Sequence, residues 1–141
     1  MADVNIWGVV SVTKAFLPLI RKYQGRIVNV GSLLGRLPAL YSSAYCITKY
    51  GVEAFSDILR LEMARFKVGV SIIEPGNFLA ATAIVDAKRP KLFWNQLNES
   101  LRKDYGEDSV DEVIGAIDWM SNTFGVNSYL YICLLNFVYQ L

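Results

Sequence analysis

Gly25-Arg26-Ile27-Val28-Asn29-Val30-Gly31-Ser32 is the stretch on which the fold turns. Its five central residues are short-spaced, β-branched and mostly apolar, as in a strand buried on both faces, and Gly31-Ser32 closes it. Upstream, Val4 to Tyr23 is apolar on nearly every side, through Ile6, Trp7, Val9, Val10, Val12, Phe16, Leu17, Leu19 and Ile20. A helix with that pattern is expected to be buried, in a core or an oligomer interface. Pro18 strains its last turns, and Gly25 ends it. Downstream, Gly35 to Ser43 reads as a loop. A helical stripe follows at Thr48, Val52, Phe55, Leu59, Met63 and Phe66, with Glu53, Asp57, Arg60 and Arg65 among the intervening positions. Val70-Ser71-Ile72-Ile73 is a second strand, stopped by Pro75-Gly76. Strand, helix, strand in this order predicts a parallel βαβ unit.

Beyond Asn77 the signals soften. Leu92 to Tyr105 suits one amphipathic helix through Phe93, Leu97 and Leu101. Ser109-Val110-Asp111-Glu112 fits a capping box opening another, with Val113, Ile114, Ile117 and Phe124 on its apolar side. The segment after Asp118 is uncharged. Its apolar run from Tyr129 to Tyr139 is shorter than the roughly 20 residues that span a bilayer, and is β-prone. The expected division is a partial domain over 1–125 and a divergent uncharged tail over 126–141.

Composition sets further bounds. The 141 residues are 53% hydrophobic and 19% charged with net charge +1, a globular balance with no electrostatic footprint for nucleic acid. There is no histidine, so proton transfer near neutral pH must use a perturbed group of another kind. Cys46 and Cys133 do not make a disulfide framework or a metal site, and reduced surroundings are the default. Met1-Ala2-Asp3-Val4-Asn5 matches no targeting signal and reads as the interior of a helix, which suggests a chain beginning partway into a longer fold.

Tyr45 and Lys49 are four residues apart on the predicted helix, so their side chains share a face. A free tyrosine has pKa ~10, and a neighbouring ammonium favours its phenolate. Chance also produces such a pair, as a solvated helix couple. Ser32 lies just past the carboxy-terminal end of a predicted parallel strand, where open α/β sheets place ligand crevices; there it could polarise a substrate oxygen or simply make a turn. Asn5 is a polar amide in an apolar helix, or a helix-start cap. Pro75-Gly76 permits a close backbone approach to a flat ligand, or is a plain turn.

The order Asn5, Ser32, Tyr45, Lys49 and then Glu74-Pro75-Gly76 resembles the catalytic half of the short-chain dehydrogenase/reductase family. The resemblance covers about residues 3 to 110. It is most specific in the quoted strand and in Tyr45-Cys46-Ile47-Thr48-Lys49-Tyr50-Gly51-Val52-Glu53-Ala54-Phe55-Ser56-Asp57. This second block resembles the branch of the hydroxybutyrate, retinol and 17β-hydroxysteroid dehydrogenases. Asn77-Phe78 with Ala80-Ala81-Thr82, and Arg102 to Gly106, look most like the hydroxybutyrate type.

The resemblance implies an α/β fold, the catalytic half of a Rossmann-type doubly wound parallel sheet with a helical carboxy-terminal part. It implies an oxidoreductase moving hydride between a nicotinamide cofactor and a secondary alcohol. Tyr45 would be the general acid/base and Ser32 the group orienting the substrate. Lys49 would assist Tyr45 and hold the nicotinamide ribose, and Asn5 would steady a water in the proton relay. The backbone of Asn29, Val30 and Gly31, and of Pro75 and Gly76, would line the nicotinamide. The cofactor would be NAD, with NADP left open, because the acidic residue that selects between them has no match here. The Gly-rich Thr-Gly-x-x-x-Gly-x-Gly turn for the diphosphate has no match either, which predicts an unpaired sheet edge beside Ile27 to Val30, and no measurable turnover and only weak NAD binding by this chain alone.

The expected substrate is a small hydroxy acid or a lipid alcohol. For an acid, Arg36 is the nearest loop cation, with Lys88 to Lys91 beyond; Arg36 could equally be solvated. Expected partners are a second copy or a full-length relative, which makes a non-catalytic interaction fragment the competing reading. Nucleic acid is not expected, and membrane association has no spanning segment behind it. By resemblance the location is mitochondrial, with endoplasmic reticulum or cytoplasm as alternatives.

Overall fold

A computed structural model of the protein describes residues 1–76 and 89–123. They fall into two compact units, of which Met1–Gly76 is the first. It opens with a wide π-helical stretch, Asp3–Gly8, that runs into α1 (Val9–Lys22). Then come β1 (Arg26–Val30), a single 3-10 turn at Leu33–Gly35, α2 (Ser43–Ala64) and β2 (Gly69–Ile73). The two strands pair in parallel, with Ile27 opposite Val70 and Asn29 opposite Ile72. The βαβ unit is therefore as its sequence predicts.

The helical stripe of α2 supplies the core. Thr48, Val52, Leu59 and Met63 are buried. Leu59 and Met63 cluster with Ile27, Val68 and Val70, and Leu17, Ile20, Phe55 and Phe66 pack around them. Two expectations of burial change. β1 is covered on one face only: Ile27 and Asn29 are buried while Val28 and Val30 are exposed, because both helices of this unit pack against the same side. α1 likewise turns Leu17 and Ile20 inward but leaves Trp7, Val12, Phe16 and Leu19 exposed. Glycine also plays a different part from the one expected at the helix ends. Gln24 (φ 50°) and Lys67 (φ 56°) take the left-handed conformation after α1 and α2, each one or two residues before the glycine.

The helix Asp3–Lys22 is long and apolar enough to cross a membrane by length and composition, with 20 residues and mean hydropathy 1.3. In this unit Leu17 and Ile20 of that helix pack on the core and Asn5 bonds to Thr48, while only 6% of the apolar window is buried.

The described part of the second unit is helical: α3 (Arg89–Gln96), α4 (Glu99–Tyr105) and α5 (Asp108–Thr123). The single helix expected over Leu92 to Tyr105 is two. Asn98, in extended conformation, breaks it and caps α4 by accepting from the Leu101 amide at 2.9 Å. The capping box at Ser109 does not form: its hydroxyl donates back to the Gly106 carbonyl at 2.7 Å, inside a helix that has already begun. Phe124, the tail, and the Asn77-Phe78, Ala80-Ala81-Thr82 and Lys88 positions lie outside the described residues.

Candidate active site

The carboxy-terminal ends of β1 and β2 meet the first two turns of α2. Lys49 reaches back across them, its Nζ donating to the Val30 carbonyl at 3.1 Å. The same ammonium stands 5.7 Å from the centre of the Tyr45 ring. Four-residue spacing thus delivers Tyr45 and Lys49 to one face, and that face to the end of β1. Burial pushes the Lys49 ammonium below its ordinary pKa, against the opposing pull of the Glu53 charge.

Ser32 is buried and begins the 3-10 turn, its Oγ accepting from the Leu34 amide at 3.2 Å. The acceptor is used locally, while the hydroxyl proton stays available to donate. Asn5 does not cap a helix start; it sits within the π-helical stretch. Its Nδ2 donates to Thr48 Oγ1 at 3.2 Å, and Thr48 in turn donates to the Tyr45 carbonyl at 2.7 Å. Asn5 is therefore connected to Tyr45 through α2, a link that passes through Thr48, which composition and spacing alone mark only as a core position.

The proposed lining backbone is knit together. Gly31 N–H donates to Ile73 O at 2.8 Å, Leu33 N–H donates to Pro75 O at 3.0 Å, and Val30 O is taken by Lys49. Contact of a flat ring with these segments would be chiefly van der Waals. The Asn29 side chain points the other way, its Nδ2 donating to buried Ser56 Oγ at 2.8 Å.

Arg36 is not a freely solvated loop cation. Its Nε is 3.0 Å from Glu74 Oε1 and its Nη2 is 3.0 Å from Glu53 Oε2. A substrate carboxylate here would compete with two resident ones. Burial pulls the Arg36 pKa down, but the Glu74 hydrogen bond and the charges of Glu53 and Glu74 outweigh it and leave it raised. Glu53, grouped by its sequence with the solvated positions of α2, is only 4% exposed. Burial first, and then the charge of Glu74, raise its carboxyl to about 7. The one signal in the sequence that could have found it is its place four residues after Lys49.

Residues 1–92 match the family model described as short chain dehydrogenase. This chain belongs to the short-chain dehydrogenase family. Over 127 residues it is 50% identical to the mitochondrial D-beta-hydroxybutyrate dehydrogenase of Rattus norvegicus, which covers 87% of this chain and 37% of that protein. It is 49% identical over 109 residues to retinol dehydrogenase 16 of Mus musculus, covering 74% of this chain and 33% of that protein. A crystal structure of a short-chain dehydrogenase from Streptomyces avermitilis superposes with TM-score 0.53 at 37% identity, over 55% of this chain and 29% of that one. The short-chain dehydrogenase chain thus spans about a third of the length of these curated relatives, within the hydroxybutyrate, retinol and hydroxysteroid dehydrogenase branch.

The nicotinamide cofactor that the family implies fits one end of this arrangement. Lys49 uses one ammonium donor on Val30 O and keeps two for ribose hydroxyls. No Gly-rich diphosphate turn occurs in the 141-residue sequence, so the fit is confined to the nicotinamide end.

Proposed function

We propose that this chain contributes the proton-transfer side of an NAD-dependent dehydrogenase site acting on a secondary alcohol of the 3-hydroxybutyrate class. The observation that carries the reading is Lys49, whose ammonium lies between the Val30 carbonyl and the Tyr45 ring. When bound, the cofactor supplies the hydride acceptor. Tyr45 takes the alcohol proton at its phenol oxygen, and the Lys49 charge stabilises the phenolate through which that proton passes. Ser32 donates a hydrogen bond from its hydroxyl to the substrate oxygen and orients it. Asn5, through Thr48, steadies the turn that carries Tyr45.

The name of the rat relative supports a hydroxy acid and a mitochondrial location; the mouse relative supports retinol as the alternative alcohol. A second reading, association with another copy or with a longer relative, is favoured by the exposed apolar residues Trp7, Val12, Phe16, Ile47, Ile58 and Leu61 of the two helices.

The test joins this chain to the amino-terminal segment of the rat enzyme that precedes its match. NAD reduction is then followed with D-3-hydroxybutyrate, retinol and an uncharged secondary alcohol. Hydroxybutyrate is expected to be preferred, and Tyr45→Phe to lower turnover by ~10²–10⁴-fold. Turnover retained by Tyr45→Phe would remove Tyr45 from the mechanism. Preference for retinol would move the substrate to the other branch.

A further inference from the structure

We propose that Arg36 is a positioning residue, a two-pronged clamp that holds the Ser32 loop on the Tyr45–Lys49 helix and on the end of β2. The proposal rests on the reading of Ser32, Tyr45 and Lys49 as one site. These three residues come from two segments, and the nicotinamide-side backbone at Pro75-Gly76 comes from a third. Arg36 touches all three segments. One arm of its guanidinium meets Glu53, one helical turn beyond Lys49, and the other meets Glu74, which directly precedes Pro75.

The neighbouring contacts make the same three-way junction. The Arg36 carbonyl accepts from the Tyr50 hydroxyl at 2.6 Å, a second tie from the loop to α2. Leu33 N–H donates to Pro75 O at 3.0 Å, a second tie to the end of β2. The loop lies so close to α2 that a Cβ at Gly35 would come within 3.0 Å of both Glu53 Cγ and the Lys49 carbonyl. A Cβ at Gly31 would collide with Glu53 Oε1. Both glycines are accounted for by the Glu53 side chain and the helix beneath it. Beyond Arg36 the loop has no comparable anchor: Leu37, Leu40 and Tyr41 are exposed. The ion pairs at its root therefore decide where Ser32 stands relative to Tyr45. A planar guanidinium can grip two carboxylates along different edges; an ammonium is a single point charge and cannot reproduce both.

The test uses the 141-residue chain and amide hydrogen exchange. The reporter amides are Leu33, Gly35 and Leu37, which donate to Pro75 O, Ser32 O and Leu33 O, with the β1–β2 ladder amides as internal reference. Losing the Glu74 hydrogen bond and the Glu53 ion pair should raise exchange at these three amides about tenfold in Arg36→Met while the ladder keeps its rates. Arg36→Lys should recover part of the protection. The Tyr45 ring-carbon and Lys49 ammonium resonances should shift in Arg36→Met although neither residue is altered.

Loop amides that exchange in Arg36→Met as in the unaltered chain would overturn the proposal. So would equal acceleration of loop and ladder, or unmoved Tyr45 and Lys49 signals. If Arg36→Met does not fold, Glu74→Gln, which leaves the Glu53 arm in place, carries the same comparison. A Tyr45→Phe protein that keeps its turnover would refute the catalytic reading while leaving these exchange results to stand or fall separately.

Discussion

Glu53→Gln should remove a pH dependence from the stability of the first unit. The Glu53 carboxyl is raised from its ordinary 4.5 to about 7, by burial and then by the charge of Glu74, with Arg36 pulling in the opposite direction and Asp57 adding to the rise. Lys49 is the other charge that faces it. A carboxyl whose folded pKa lies above its unfolded one favours the fold in its protonated form. Its contribution is complete below about pH 4.5 and is lost as pH rises through about 7. Each pKa unit is worth about 1.4 kcal/mol, so the displacement amounts to about 3 kcal/mol. Glutamine has the same shape and cannot ionise. Denaturant unfolding of both proteins, followed by the β1 and β2 amide resonances between pH 4.5 and 8.5, gives the difference in stability with other titrating groups cancelled. That difference should move by about 3 kcal/mol in favour of Glu53→Gln as pH rises from about 4.5 to about 7, and level off above it. A flat difference, or one of opposite slope, would show that Glu53 titrates as an ordinary carboxylate and that the cost of its burial is offset by Arg36.

Three further outcomes follow from the same geometry. Gly31→Ala, which sets a methyl against Glu53 Oε1 and 3.1 Å from Ile72 Cγ2, should destabilise by about 1–3 kcal/mol, with most of the loss recovered when Glu53 is shortened to Ala; denaturant midpoints of the two variants check it. Ser56→Ala leaves the buried Asn29 amide without its partner at 2.8 Å and should cost about 1–3 kcal/mol in the same measurement, more than Ser42→Ala at an exposed hydroxyl. Thr48→Val cuts the link from Asn5 to the Tyr45 carbonyl; in the fused enzyme it should lower turnover on hydroxybutyrate without changing NAD affinity, and an equal loss in both would make Thr48 a packing residue only.

Much of the candidate site in this chain of the short-chain dehydrogenase family was legible from the residues. Local rules act over a few positions: β-branched runs between glycines make β1 and β2, the α2 stripe makes the core, and a four-residue interval places Tyr45 beside Lys49. The strand ends that receive Lys49 follow from parallel pairing, which the βαβ order already dictates.

What the residues could not disclose depends on which groups meet across long intervals. Glu53 reads as one more charge on a helix surface until the loop carrying Arg36 folds over it, 17 positions back in the chain, and Glu74 closes in from beyond β2. Asn29 reads as a strand residue beside a cofactor until Ser56 takes its amide. The one-sided burial of β1 and the exposed face of α1 are likewise set by which elements pack together. Periodicity records which face of an element is apolar; it does not record what will cover that face. The sequence by itself determined β1, β2, α1, α2 and the Tyr45–Lys49 pair, because those depend on neighbours within a turn or two. The tertiary structure alone decided that Arg36 belongs to two buried carboxylates, because an ion pair needs its partners within about 4 Å, and only the closed βαβ unit brings them there.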